Sequence, residues 1–78
     1  MVELKVVLTD IAKAIVDEPD KVSVIETVEG DDVTLELHVA EDDMGKVIGR
    51  HGKIAKAIRT VMKAAANTCN KKVNVEIK

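Results

Sequence analysis

Residues 49 to 52 read Gly-Arg-His-Gly, with lysines at 46, 53 and 56 around them and no carboxylate anywhere between 44 and 72. A guanidinium fork, an imidazole and three ammonium groups so close together share one chemistry, attraction for an anion. Gly49 and Gly52 strip the corner of Cβ atoms, so that a sugar-phosphate backbone can approach the main chain. The apolar-basic segment that follows reads as a helix. Its opening amides, on Gly52, Lys53 and Ile54, are expected to be unpaired and to favour phosphate together with the positive end of the helix dipole. Other phosphate motifs do not fit. A P-loop needs glycine where Val47 stands and Ser or Thr where Ile54 stands, and a dinucleotide fingerprint needs a G-x-G pair that is missing. Gly45 and Gly49 form G-x-x-x-G, but in a charged segment this spacing permits close packing rather than membrane association.

The elements that must position this corner are legible from periodicity. Leu4, Val7, Leu8, Ile11, Ala12 and Ile15 form one stripe, which predicts a helix over residues 3–16, ended by the Asp-Glu-Pro-Asp at 17–20. Residues 21–29 read as a strand with Val22 and Val24 on one face. After the Glu-Gly-Asp-Asp turn, Val33, Leu35, Leu37 and Val39 alternate with Thr34, Glu36 and His38, which predicts the other arm of an antiparallel hairpin. A short helix ending at Gly49 is expected next, with its acids in the first turn. A longer helix runs from Lys53 to about Asn67, and a final strand holds Val73, Val75 and Ile77. The order is α-β-β-α-α-β. The last two strands are joined by a crossover long enough for parallel pairing, so the expected fold is α+β, a mixed three-stranded sheet with three helices on one face. Seventy-eight residues are read as one domain, small enough to gain from oligomerisation.

Net charge misleads when taken whole. The total is −2, but residues 1–43 carry three Lys/Arg against thirteen Asp/Glu, a net of −10, while residues 44–72 carry eight Lys/Arg, a net of +8. Such segregation creates the local positive field that draws a polyanion. The chain has no Phe, Tyr or Trp, which excludes binding by stacking bases on aromatic rings. One cysteine, Cys69, excludes an internal disulfide. No apolar run is long enough to span a bilayer and no secretory signal is evident, so no membrane partner is expected and a cytoplasmic address is.

The segment VIGRHGKIAKAIR resembles the V-I-G-x-x-G-x-x-I-x-x-I core of the KH RNA-binding domain, and the element order resembles its bacterial type II form. DEPDKV, LELHVAEDDMGKVIG and AKAIRTVMKAAA extend the likeness over nearly the whole chain to the small single-domain KhpA-type proteins. Glu41 stands where proline is common, and ANTCNKK is an individual version of a variable junction. The resemblance implies non-catalytic binding of single-stranded RNA, with Gly49, Arg50, His51 and Gly52 clamping about four nucleotides. It also implies a base groove between the Lys53–Lys63 helix and the Val33–Val39 strand, with Ile48, Ile54, Ala55 and Ile58 as wall residues. The RNA-contact set is then Lys46, Ile48, Gly49, Arg50, His51, Gly52, Lys53, Ile54 and Lys56. Further implications are an RNA-chaperone or post-transcriptional role linked to cell elongation and division, self-association, and partnership with a second KH-domain protein. The rival readings are a KH-fold protein-interaction module and a ribosome-associated assembly factor.

Other residues carry less. His51 reads as a polar loop residue and His38 as a solvated strand residue. The EDD and GDD clusters read as turn chemistry rather than a Mg²⁺ site, and no nucleophile stands beside a base. No metal, cofactor or catalytic residue is therefore assigned. The alanines at 64–66, with Val61, Met62 and Cys69, make the helix end apolar over more than one face. Val61, Met62 and Ala65 are the expected dimer contacts.

Overall fold

Leu4, Leu8 and Ala12 repeat at four-residue steps and form the buried stripe of α1, Leu4–Ile15, in a computed structural model that describes residues 3–78. The Val16 N–H closes the helix on the Ala12 carbonyl at 3.1 Å, and Pro19 opens a single 3₁₀ turn, Pro19–Lys21. Next come β1, Ser23–Glu29, and β2, Asp32–His38, paired antiparallel from Ser23 opposite His38 to Glu29 opposite Asp32. The 3₁₀ turn Glu41–Asp43 leads into α2, Met44–Ile48; the turn Arg50–Gly52 leads into α3, Lys53–Thr68; β3, Lys72–Ile77, ends the order. β3 runs parallel to β2, with Val33 beside Val73 and Leu37 beside Ile77. The sheet order is β1-β2-β3, so the expected mixed sheet and α-β-β-α-α-β order hold.

β2 lies in the middle, and its alternation is the cleanest: Val33, Leu35 and Leu37 are buried, while Thr34, Glu36 and His38 are partly exposed on the far face. β1 buries only Val24, and Val22 lies just outside the strand, half-buried. Glu26 shares the core-side face with Leu35 yet is exposed, an inward-pointing charge of the kind that protects a sheet edge. The core gathers Leu4, Leu8 and Ala12 of α1, the β2 residues, Val75 of β3, and Ile58, Met62 and Ala66 of α3. Close packing of branched and unbranched aliphatic side chains fills the space that aromatic rings occupy in other small domains. α2 rests mainly on α3 and α1, sealed by fully buried Val47.

The acids before α2 do more than favour a helix dipole. Asp43 is 1% exposed, and its carboxylate caps no helix end. It reaches instead to the chain leaving α1, accepting the Asp17 N–H at 3.2 Å on Oδ1 and the Glu18 N–H at 3.0 Å on Oδ2. Lys46 Nζ lies 3.5 Å from the same carboxylate. Burial, the largest single influence, pushes the Asp43 carboxyl up; the two backbone donors and Lys46 together outweigh it and hold the group below the usual carboxylate range. A depressed folded-state pKa contributes stability that is complete above the unfolded-state value, about 3.9, and is lost as pH falls through the folded-state value. Urea-unfolding midpoints of the wild type should therefore fall with pH below about 4. Asp43→Asn should be less stable at neutral pH, and the difference between the two proteins should shrink on acidification. A constant difference across that window would refute the ionic latch.

Candidate nucleic-acid interface

The corner between α2 and α3 is built by backbone conformations few residues adopt. Gly49 has φ 76° and ψ 176°, His51 φ 57° and ψ 25°, and Gly52 φ 74° and ψ 14°. The first lies in a region that glycine alone enters; the other two are left-handed, which a histidine or asparagine tolerates. Sterics agree. A Cβ on Gly49 would run into the Ile54 side chain and stand 2.9 Å from the Ile54 nitrogen, whereas one on Gly52 would meet nothing within 4 Å. The excursion turns the chain so that Arg50 and His51 project outward, and both are exposed. No carboxylate among the described residues pairs with Arg50, Lys53, Lys56, Arg59 or Lys63.

One expected feature of the corner is corrected. The Gly52 N–H already donates to the Gly49 carbonyl at 3.2 Å and the Lys53 N–H to the Arg50 carbonyl, because the corner closes as a 3₁₀ turn. These amides are therefore not a vacant phosphate cradle. Lys46 is committed elsewhere: Nζ donates to Asp17 Oδ2 at 2.7 Å and faces Asp43 as well. The hydrogen bond to Asp17, chief among these influences, holds Lys46 above its ordinary lysine value. Two carboxylates thus flank one ammonium whose side chain is still 43% exposed.

The strand beside α3 also differs from expectation. β2 is central and covered, and it is β3, at the edge, that faces the basic flank of α3. A trough of about 490 Å³ runs between them, lined by Lys56, Arg59, Thr60 and Lys63 from the helix and by Val73, Asn74, Val75 and Glu76 from the strand, with Thr34 the single β2 residue. Lys72 and Lys78 donate their N–H groups to Asp31 and Leu37, so even-numbered β3 residues bond to β2. Val73, Val75 and Ile77 consequently turn their main-chain groups outward, as expected for alternating residues of an edge strand. The Arg59 Nε donates to the Val75 carbonyl at 3.2 Å, which fixes the guanidinium across this edge.

Of the expected contact residues, Lys56 lines the trough, and the Gly49–Gly52 corner stands one helical turn before it. Ile48 and Ile54 are exposed at 37% and 38%, but Ile54 lies on the α1 side of α3, away from the trough. Ala55 and Ile58 are core. Arg59 and Lys63 were visible as a basic stripe with Lys56, at three- and four-residue steps; Asn74 and Glu76 could be placed only by the sheet register. The expected dimer contacts also separate. Val61 is 49% exposed, Met62 is fully buried in the core, and Ala65 is half-buried against it.

The chain matches the KhpA/KhpB KH-domain family over residues 5–77. It is 58% identical over 74 residues to the RNA-binding protein KhpA of Clostridium acetobutylicum, an alignment covering 95% of this chain and 99% of that protein. Identity is 57% over 67 residues to the RNA-binding protein KhpA of Caldanaerobacter subterraneus, covering 86% and 89%. It is 46% over 68 residues to that of Treponema pallidum, covering 86% and 84%.

The two glycines should respond differently to alanine. Gly49→Ala combines a forbidden backbone region with a steric overlap and should cost roughly 2–4 kcal/mol in chemical denaturation. Gly52→Ala meets only the left-handed penalty, about 1–2 kcal/mol. Equal losses would contradict the geometry of the corner.

Proposed function

The chain belongs to the KhpA/KhpB KH-domain family, and from that premise we propose that it binds single-stranded RNA without catalysing a reaction, as an RNA chaperone or post-transcriptional regulator. The observation that carries this reading is the basic trough leading away from the Gly49–Gly52 corner along α3, whose Lys56, Arg59 and Lys63 have no carboxylate partner among the described residues. Arg50 and Lys53 hold phosphates at its mouth. The outward main-chain groups of β3 and the fixed Arg59 guanidinium meet base edges, so aromatic stacking is unnecessary. Named relatives described as RNA-binding proteins support the same ligand.

Arg50→Asp/His51→Asp keeps both glycines and reverses the charge of the corner. In fluorescence anisotropy with a short unstructured oligoribonucleotide it should lose at least tenfold in affinity while its thermal midpoint stays close to the wild type. Four phosphate contacts give a log–log salt slope of about −3. A flat salt response with unchanged affinity in the double variant would favour a protein-interaction module instead. Binding confined to folded ribosomal RNA would favour an assembly factor.

A second reading is supported by a separate surface. On the flank of α3 opposite the trough, Ile11, Ile15, Ile54, Ala57, Ile58 and Val61 line a groove of about 330 Å³ made of apolar side chains alone. A second copy of this chain, or a second KH-domain protein, buries this groove through Val61. Val61→Asp should shift sedimentation towards the monomer without unfolding the chain, and Met62→Asp should unfold it. A Val61→Asp protein that sediments as the wild type would dispose of this interface.

A further inference from the structure

The sheet has two edges, and they differ in charge. β3 faces the basic flank of α3, whereas residues 23–36, which make up β1, the turn and most of β2, hold five carboxylates and no Lys or Arg. Glu26, Glu29 and Asp32 pair with no basic group among the described residues. β1 also leaves two aliphatic side chains in water, Ile25 at 54% exposure and Val28 at 53%.

Hydrogen-bond parity determines what the β1 edge offers. The Lys72 and Lys78 N–H groups donate to the Asp31 and Leu37 carbonyls, so odd-numbered residues of β2 bond to β3 and even-numbered ones to β1. Their partners across the hairpin are Ser23, Ile25 and Thr27. Val24, Glu26 and Val28 therefore turn their main-chain N–H and C=O groups outward.

Such a row invites a further strand, and Glu26 decides which one. Antiparallel self-pairing centred on β1 sets Glu26 against Glu26, and like charges directly opposite are destabilising. The β3 edge of a second copy is crossed by the Arg59 guanidinium, whose Nε already holds the Val75 carbonyl at 3.2 Å. A nucleic acid is repelled by the five carboxylates. A cationic strand meets none of these obstacles. A lysine opposite Glu26 turns the guard into a cross-strand ion pair, and alternation then sets an aliphatic side chain against Ile25.

We propose that the β1 edge is a docking site for an extended cationic segment of another protein, added to the sheet through the main-chain groups of Val24, Glu26 and Val28. The site stands apart from the RNA-binding reading, since it uses the sheet edge opposite the trough.

An acetylated, amidated peptide of about nine residues alternating lysine and valine tests it, by affinity and by amide exchange in the labelled protein. At about ten times its Kd the peptide should slow exchange of the Val24, Glu26 and Val28 amides roughly tenfold. A glutamate-valine counterpart should not bind. A lysine-valine peptide with proline at its centre keeps the charge but breaks the ladder, and should bind far more weakly. Glu26→Gln/Glu29→Gln should lose roughly fivefold in affinity, the effect of two cross-strand ion pairs. Asp10→Asn/Asp42→Asn changes net charge equally at two other exposed positions and should bind as the wild type does. The site is refuted if the lysine-valine peptide does not bind, if the proline peptide binds equally, or if the three amides exchange unchanged. Protection of those amides that grows with protein concentration alone would assign the edge to a second copy, and protection by an oligouridylate would assign it to nucleic acid; either overturns the proposal.

Discussion

Two helices meet at Gly49 with no room for a side chain between them. Ile54, from the first turn of α3, occupies the space where a Cβ would stand, and the backbone takes a conformation that L residues do not enter. The constraint reaches far because both helices are committed elsewhere. α2 carries Val47 into the helix layer and Lys46 to the chain leaving α1, while α3 carries Ile58 and Met62 into the core. Only one relative placement satisfies both, and that placement leaves Arg50 and His51 outside. The exposed basic corner is thus a by-product of where two buried surfaces must go.

α3 then divides its circumference three ways. Ala55, Ile58, Met62 and Ala66 face the core; Lys56, Arg59, Thr60 and Lys63 face the edge of β3; Ile54, Ala57 and Val61 face α1. Such a partition explains a helix that is strongly amphipathic without being especially apolar. In the proposed reading, nucleic acid and a second protein chain take opposite flanks, so neither excludes the other. The Ala64–Ala66 run has a modest explanation here: one residue is exposed, one half-buried and one buried as the helix turns.

Patterns of short range were readable from the sequence, and contacts of long range were not. The α1 stripe and the alternation of Val33, Leu35 and Leu37 are repeats set by helix and strand geometry, and the crossover was long enough to allow the parallel pairing observed. Lys46 looked like part of the corner because it lies three residues from Gly49; its true partner, Asp17, is 29 residues away. Asp43 looked like a helix-start acid for the same reason, though its donors are 25 and 26 residues distant. Met62 and Val61 are neighbours in sequence but about 100° apart around the helix, enough to put one in the core and the other in solvent. The identity of the strand facing α3 depended on sheet order, which no local pattern encodes.

The edge position of β3 bears on how the chain acquires its activity. β1 and β2 can pair as a local hairpin, but β3 can join β2 only after residues 39–71 have closed a long loop and set α2 and α3 over the sheet. Closing so long a loop costs entropy before pairing gives any gain, so this pairing is intrinsically slower than that of the hairpin. One wall of the trough is β3 itself, so in the proposed reading a chain that has only the hairpin and helices carries the Gly49–Gly52 corner but lacks the trough. In that reading the full ligand surface is complete only once β3 has paired with β2.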